Sequence, residues 1–526
     1  MTAANDRIVD TLKEILGAEA VITDDAERAF YSTDVYSAPP APSAAVIRPK
    51  DVASLAKAIG AATQAGYAVI GRGGGMSYTN GYAPRRADTI TVDVAALNKI
   101  IEISAEGMYI TVQAGVTWKQ IYDALNPLGL RLPFFGTFSG IKATVGGGLS
   151  QGALFMGTAR YGQGADILLG LEVVLADGTR TRTGQAAFKN GKPFYRTYGP
   201  DLTGVFTHDG GAFGIKTEAT LRLIEAPQAQ DYGSFVFPTI ESTIDALADI
   251  ARSGAAEEAY AFDPASTQKN LRFHDIVADF KTLMKVIGGQ GGILRGLKEG
   301  AKLALAGRDF VEDNVYSIHV VCAGRTMEAA KADLDEIRKR AAKHGGAEIP
   351  NSIPKATRAN PFQPLNGVLG PQGDRWAALN AKVAHQDARK LVAAGEALLA
   401  RHKAEMDAHG IFMTRLFIAL SNHAFSYEPV FHWFDEWLPI HKRTPEPAHL
   451  KKLGDEPQPN PAARAVVHRI RAEMTQLFAD HGASSNQIGK LYPYLDSLEA
   501  PTAGLIRAFK TAVDPDGQLN PGVLGL

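Results

Sequence analysis

Three glycine-rich segments in the first 225 residues limit what this chain can fold into and bind more than any other feature. The first, GRGGGMSYTNGY, covers residues 71–82 and follows the apolar run YAVI. The second spans residues 134–178 and contains TVGGG, and the third spans residues 201–223 and contains HDGG. Glycine allows left-handed backbone and close approach to a ligand, so these loops suit a phosphate-bearing cofactor.

The first segment differs from two well-known nucleotide-binding motifs. Met76 occupies the position of the last glycine in the Rossmann fingerprint G-x-G-x-x-G. The chain also contains no G-x-x-x-x-G-K-[ST] sequence, which argues against a P-loop nucleotide triphosphatase. The expectation that remains is a nest of backbone N–H groups that holds a pyrophosphate.

The hydrophobic pattern predicts an α+β protein in three parts. Residues 1–225 alternate short apolar strands with helical stretches, and residues 226–455 carry longer helical periods with strand-like runs between them. A bridge rich in proline and charge, residues 441–461, then leads into the last segment, which we take as 456–526. A length of 526 residues also exceeds what one hydrophobic core usually serves.

Composition excludes several classes of function. The 55 basic and 56 acidic residues give no net field to hold nucleic acid or an anionic membrane. Cys322 is the only cysteine, so an intrachain disulfide and a Cys-based zinc site are excluded. The N-terminal residues do not have the pattern of a signal peptide, and no apolar run approaches the ~20 residues needed to span a bilayer. We therefore expect a protein of the cytoplasm without a transmembrane segment.

One basic stretch stands apart from this balance. Residues 281–308 contain six Lys and Arg residues and a single acid, Glu299. The pattern favours a solvated surface helix, and the alternative is an amphipathic helix that meets a membrane or an acidic partner.

The order and spacing of the glycine-rich segments resemble those of the FAD-binding domain in the vanillyl-alcohol oxidase and p-cresol methylhydroxylase superfamily. That superfamily also includes D-lactate and glycolate dehydrogenases. The resemblance extends to VIRPKDVASLAKAI, AGVTWKQIYDAL, RYGQGADILLGLEVVLADG and the C-terminal DPDGQLNPG. It implies a two-subdomain FAD-binding domain of the p-cresol methylhydroxylase type (1–225), an α/β cap or substrate domain (226–455), and a C-terminal segment (456–526) that returns to the FAD domain.

The resemblance also implies the cofactor and the residues that hold it. Because Met76 stands where many covalently flavinylated relatives carry a histidine, we expect non-covalent FAD, with His385 as the one candidate for a covalent link in the cap. No metal is expected. The residues that the resemblance assigns to FAD are Arg72, Gly73, Gly74, Gly75, Met76, Ser77, Tyr78, Thr144, Val145, Gly147, Gly148, Tyr161, Gly214, Ile215 and Asn520.

By resemblance, the chain transfers hydride from a CH–OH group to flavin N5, in a 2-hydroxy acid or a bulky or aromatic alcohol. O₂ or another acceptor would reoxidise the flavin, and a homodimer through the cap side is expected. One alternative is a para-phenol oxidase or hydroxylase, which Gln163 disfavours because phenol-oxidising members carry an acid there. Another is a flavin electron-transfer subunit that docks a redox partner through residues 281–308.

Four residues are the candidates for catalysis. If the run 411–437 is one extended strand, Arg415 and His423 share a face but lie too far apart to hold one small molecule. His423 is a candidate proton acceptor and Arg415 a candidate carboxylate partner, with a cap-domain salt bridge as the alternative for Arg415. Tyr492 and Tyr494 lie near the substrate-contacting segment of the superfamily.

Overall fold

The computed structural model describes residues 3–267 and 315–526 of the chain. The basic stretch 281–308 falls outside the described residues, so its interpretation stays a prediction. Several described helices begin at a side chain that accepts a hydrogen bond from a first-turn N–H group: Asp51 caps Val52–Gln64, Thr117 caps Trp118–Leu125, and Thr326 caps Met327–Lys343.

The N-terminal part begins with a four-stranded sheet in the order β1-β2-β4-β3, in which β2, β4 and β3 are parallel. The three parallel strands are almost entirely buried, as expected for strands that are covered on both sides. The elements of this first subdomain are α1 (Ala3–Leu16), β1 (Val21–Ile22), α2 (Asp25–Ser32), β2 (Ala45–Ile47), α3 (Val52–Gln64), β3 (Ala68–Arg72) and β4 (Thr89–Asp93).

The second subdomain contains a five-stranded antiparallel sheet in the order β5-β6-β10-β8-β9 and a two-stranded pair, β7 with β11. The Asp177–Gly178 pair forms the predicted hairpin turn between β8 and β9, with Gly178 in the left-handed region. Its elements are β5 (Ile100–Ser104), β6 (Tyr109–Gln113), α4 (Trp118–Leu125), β7 (Leu130–Arg131), α5 (Val145–Gln151), α6 (Thr158–Tyr161), β8 (Leu168–Val174), β9 (Arg180–Arg182), α7 (Leu202–Val205), β10 (Ile215–Arg222) and β11 (Ile224–Glu225).

The middle of the chain forms an antiparallel sheet of eight described strands, in the order β15-β12-β14-β13-β18-β19-β16, with β17 also paired to β19. We call this sheet the cap sheet. Its elements are β12 (Ala229–Phe237), α8 (Ile240–Ser253), β13 (Glu258–Phe262), β14 (Tyr316–Gly324), α9 (Met327–Lys343), β15 (Ala347–Ile349), α10 (Ser352–Ala359), β16 (Arg375–Ala378), β17 (Ala381–Ala384), α11 (Ala388–Arg401), α12 (Lys403–Ala408), β18 (Phe412–Leu420) and β19 (Ala424–Trp433).

The last helices divide between the cap sheet and the N-terminal part. Helix α15 packs in the core of the cap, whereas α16 packs on the second subdomain. Leu519 then pairs with Val69 of β3, so residues near the end of the sequence complete the first sheet. The elements here are α13 (Pro439–Arg443), α14 (Pro447–Leu453), α15 (Pro461–Asp480) and α16 (Ala500–Val513).

A buried ion cluster joins the cap to the second subdomain. Arg131 donates from both terminal nitrogens to Glu257 at 2.9 Å, and Arg358 also pairs with Glu257. Burial acts to raise the pKa of Glu257, but the charges of Arg358 and Arg131 prevail and bring it to about 2. Removal of one partner would leave a buried charge uncompensated, so this cluster fixes how the cap sits on the second subdomain.

The run 411–437 is a hairpin and not the single strand that we considered. Strands β18 and β19 pair antiparallel from Phe412–His432 to Leu420–Ala424, and the turn lies at residues 421–423. Ser421 has a φ of +49°, which marks the reversal. The expected separation of Arg415 from His423 along one strand therefore does not apply.

Cys322 is buried in β14, as expected for a structural thiol. Among the described residues, no helix is both long enough and apolar enough to cross a membrane.

Candidate functional site

A cleft runs between the two N-terminal subdomains and reaches Gln487 of the C-terminal segment. It encloses about 900 Å³, a volume that includes its solvent-filled mouth. Eleven of the predicted cofactor residues line it: Arg72, Gly73, Gly74, Gly75, Met76, Ser77, Thr144, Gly147, Gly148, Gly214 and Ile215. The three glycine-rich segments thus meet around one space.

The glycines of the first loop are required by its packing against the second segment. A Cβ on Gly74 would lie 2.0 Å from the carbonyl oxygen of Lys142, and one on Gly73 would lie 2.2 Å from Thr144 Oγ1. Gly75 has a φ of +74°, in the region that favours glycine. The loop is therefore pressed onto residues 142–144, and its other side faces the cleft.

The same loop presents donors that suit an anionic group. Among the described residues, no backbone N–H from Gly73 to Tyr78 donates a hydrogen bond to a protein acceptor. Arg72 is 3% exposed, and its Nε and Nη2 have no hydrogen-bond partner in the described chain. A row of free N–H groups beside a buried guanidinium fits a pyrophosphate.

Four predicted cofactor residues do not line the cleft. The side chain of Val145 is buried in the core of the second subdomain. Tyr78 turns toward the cap, where its ring lies 5.3 Å from the ring of Trp376. Tyr161 ends the short helix α6, outside the cleft. Asn520 lies beneath the cleft floor, where its Nδ2 donates to the carbonyl oxygens of Gly81 and Gly210.

Asn520 therefore positions two glycine-rich segments, and its loss should loosen both. We expect Asn520→Ala to lower the free energy of unfolding by about 1–3 kcal/mol, because two buried carbonyls lose their donor. Chemical denaturation would measure the change, with Asn366→Ala as control, since Asn366 bonds to Glu446 at the surface. Equal stability losses in the two variants would contradict this role.

A group of four polar residues, the cap cluster, lies between the loop and the cap sheet: Tyr78, Asn380, Glu428 and Tyr492. The main-chain N–H of Asn380 donates to Tyr492 Oη at 2.7 Å, and its Nδ2 lies 3.5 Å from Glu428 Oε2. Glu428 is close enough for its charge to raise the pKa values of Tyr78 and Tyr492, which burial raises more strongly. The cluster adjoins the cleft at Ser77, whose hydroxyl lies 3.3 Å from Gln487 Oε1.

Glu428 is the ionisable group of this cluster whose pKa lies nearest to neutral pH. Burial raises the pKa of its carboxyl to about 7, and the contact with Asn380 only partly opposes that rise. No described Lys or Arg forms an ion pair with it. A carboxyl that titrates near neutral pH can accept a proton from a substrate hydroxyl.

Two predicted catalytic residues lie elsewhere. Arg415 points to the helix-covered face of the cap sheet, where it forms a bidentate pair with Glu396 at 2.7 Å and also contacts Asp263. This is the salt bridge given above as the alternative. His423 is exposed in the turn between β18 and β19. The structure therefore places neither side chain beside the cleft.

The other three side chains singled out from the sequence, Tyr492, Tyr494 and His385, lie in different parts of the structure. Tyr492 belongs to the cap cluster, while Tyr494 lines a second cavity that Tyr492 also borders. His385 follows β17 beside the hairpin turn and does not line the cleft. No group of potential metal ligands occurs in the described ranges.

Two residues of the cap cluster, Glu428 and Asn380, are not among the catalytic candidates predicted from the sequence. Glu428 is the only acidic residue in the strand AFSYEPVFHW, and an unpaired acid in an apolar strand is a signal for a perturbed pKa. Asn380 gives no such signal, because it lies in a short connection between β16 and β17.

Comparisons with known proteins agree with this geometry. Residues 42–184 match the family model for an FAD binding domain. The chain is 24% identical to D-lactate dehydrogenase [cytochrome] 1, mitochondrial, of Saccharomyces cerevisiae, over 98% of this chain and 79% of that protein. It is 28% identical to glycolate oxidase subunit GlcD of Bacillus subtilis, but over only 46% of this chain and 50% of that relative.

The fold has counterparts among solved structures. A structure of p-cresol methylhydroxylase with bound substrate superposes with a TM-score of 0.73 at 20% identity, covering 100% of this chain and 98% of the other. The mixed helix and sheet architecture predicted from the sequence is thereby confirmed. The free N–H groups and buried guanidinium at the cleft fit the FAD that these relationships establish as cofactor. The chain therefore carries an FAD binding domain, shares the fold of p-cresol methylhydroxylase, and is an FAD-dependent oxidoreductase.

Proposed function

We propose that the chain oxidises a CH–OH group to a carbonyl, in a 2-hydroxy acid or a bulky or aromatic alcohol. The observation that carries this proposal is the carboxyl of Glu428, buried in the cap cluster with a pKa of about 7. Such a group suits removal of a hydroxyl proton, a step that oxidation of an alcohol requires. The names of the D-lactate and glycolate relatives support the 2-hydroxy acid as one substrate class.

Bound FAD supplies the two-electron acceptor for the hydride that leaves the substrate carbon. In its ionised form, Glu428 takes the hydroxyl proton, so that one C–H and one O–H bond break as the C=O double bond forms. Tyr492 orients the substrate oxygen, and Asn380 holds Tyr492 through its main-chain N–H. Tyr78 and Trp376 form an aromatic wall beside this position, which favours a substrate with an apolar body.

We propose that different residues of the cleft hold different parts of the cofactor. The loop 73–77 would hold the pyrophosphate through its free N–H groups, and Gly214 and Ile215 would contact the adenine end. We propose non-covalent attachment, since Met76 replaces the histidine of covalent relatives and His385 lies away from the cleft. We also propose that the chain divides into three parts, forms a homodimer and is located in the cytoplasm. The proposed electron acceptor is O₂ or another molecule.

The visible spectrum of the purified FAD-loaded protein tests these proposals. We expect the flavin to stay in the supernatant after acid precipitation, and a 2-hydroxy acid or benzylic alcohol to bleach it without oxygen. Bleaching by para-alkylphenols alone would favour the phenol oxidase instead. Flavin that dithionite reduces but no alcohol or hydroxy acid bleaches would contradict the proposed reaction.

A further inference from the structure

A second cavity lies behind residues 485–488, between helix α15, residues 492–506 and the segment 201–209, which contains the short helix α7. Its volume is about 1630 Å³, including its open mouth. It is distinct from the cleft, because the main chain of Asn486 packs against Gly152 and forms part of the wall between them. Tyr492, which belongs to the cap cluster, also lines this cavity.

Lys382 provides a positive charge inside this cavity. Its main chain is fixed by two hydrogen bonds with Ser484, of 2.7 and 3.0 Å. Burial lowers the pKa of its amine to about 8, against the weaker effect of the Asp166 charge. Lys382 lines the cavity, and no carboxylate among the described residues forms an ion pair with it. A buried ammonium without a counter-ion is costly unless a ligand supplies one.

The acidic residues that line the cavity do not compensate this charge. Asp209 is neutralised by Lys216, whose Nζ lies 2.6 Å from its Oδ1, and Asp201 is neutralised by Arg196 at 3.0 Å. His208 adds no charge at neutral pH, because burial and two nearby lysines lower its pKa to about 4. Among the described residues that line the cavity, Lys382 is therefore the charged side chain that has no ion-pair partner.

Further unsatisfied polar atoms lie around the lysine. The Nε2 of His208 and the Oε1 of Gln163 are buried and have no partner among the described residues. The rest of the wall is largely apolar and comes from the second subdomain and the C-terminal segment. These apolar residues are Val205, Phe213, Phe478, Ile488, Ile506 and Leu524.

We propose that this cavity binds an amphipathic organic anion, with its carboxylate on Lys382 and its apolar body against Phe213 and Ile506. His208 Nε2, as a neutral ring nitrogen, would complete the polar end through a hydrogen bond. The apolar wall favours a carboxylate that carries an alkyl or aryl group over a small inorganic ion. The site goes beyond the oxidation proposed above and does not depend on it.

Isothermal titration of the FAD-loaded protein tests the site with phenylacetate and hexanoate, each against its neutral amide. We expect the acids to bind and the amides to bind at least tenfold more weakly. Lys382→Met should weaken acid binding roughly 10- to 100-fold, since a hydrogen bond to a charged group is lost. Lys382→Arg should keep most of the affinity, and Lys331→Met, on the exposed face of α9, should keep all of it.

Two controls make the result decisive. Equal binding of acid and amide to the wild-type protein, or unchanged acid binding to a folded Lys382→Met variant, would overturn the proposal. Phenylacetate that binds and competes with the reducing substrate would identify the anion as that substrate. Phenylacetate that binds without competition would identify a separate ligand. Both of these outcomes uphold the site, and neither requires that a CH–OH group be the one oxidised.

Discussion

Glu428→Gln is expected to slow anaerobic flavin reduction by roughly 10²- to 10⁴-fold, the range that general-base catalysis contributes. In the wild-type protein the rate should rise with pH and level off above about 7, because the carboxylate form of Glu428 accepts the proton. The variant has no carboxylate, so this rise should disappear. Stopped-flow measurement of flavin bleaching between pH 5 and 9, a range chosen about the pKa that burial gives Glu428, would follow both effects.

The matched control is Glu396→Gln, which changes a carboxyl on the opposite face of the cap sheet. We expect this control to keep the wild-type rate and its pH dependence. Stability provides an independent readout, because burial holds the pKa of Glu428 above its usual value. The folded protein therefore loses stability as pH rises from about 4.5 through about 7, by about 3 kcal/mol, and Glu428→Gln should remove that loss. A rate for Glu428→Gln that follows the wild-type pH profile would exclude Glu428 as the base.

Gly74→Ala is expected to weaken FAD binding roughly 10- to 100-fold, the equivalent of the 1–3 kcal/mol that overpacking costs. A Cβ at this position would overlap the carbonyl oxygen of Lys142 at 2.0 Å, and backbone atoms cannot turn aside as a side chain can. The loop would have to move away from residues 142–144, which would misplace its free N–H groups. Fluorescence titration of the apoprotein with FAD would measure the loss.

Gly504→Ala serves as the control for this substitution. Gly504 lies in helix α16, and nothing lies within 4 Å of the position that its Cβ would take. Alanine favours helix more than glycine does, so this variant should bind FAD normally and be slightly more stable. Normal FAD affinity in Gly74→Ala would show that the loop tolerates the displacement and does not hold the pyrophosphate.

The sequence predicted where the cleft would form but not why its glycines are there. The run of glycines after an apolar strand indicated that the backbone approaches a ligand closely. The structure shows that the space beside Gly73 and Gly74 is filled by Thr144 and Lys142 of the same chain. Such contacts join residues about 70 positions apart and depend on tertiary packing, which a single sequence does not reveal.

The direction in which individual side chains point also could not be predicted from the sequence. Val145 stands next to Thr144 in the same motif, yet Thr144 lines the cleft and Val145 is buried in the core. The hairpin at residues 421–423 interrupts an otherwise apolar run with Ser421, Asn422 and His423, a polar turn signal that the alternation on either side obscured. The alternation consequently predicted that Arg415 and His423 share one face of a single strand, while the partner of Arg415 is Glu396 on α11.

The pairing of Leu519 with Val69 also determines when the cofactor domain becomes complete during synthesis. Val69 donates its N–H to Gln518 and accepts from Asn520, each at 2.9 Å, although about 450 residues separate the two segments. Contacts between such distant residues form late, because the chain must first close a very long loop. Strand β3, which leads into the loop 73–77, therefore lacks one of its two neighbours until the segment around Leu519 has left the ribosome. We expect the nascent chain to acquire FAD only after that point, so the cap would fold on a flavin domain that is still incomplete.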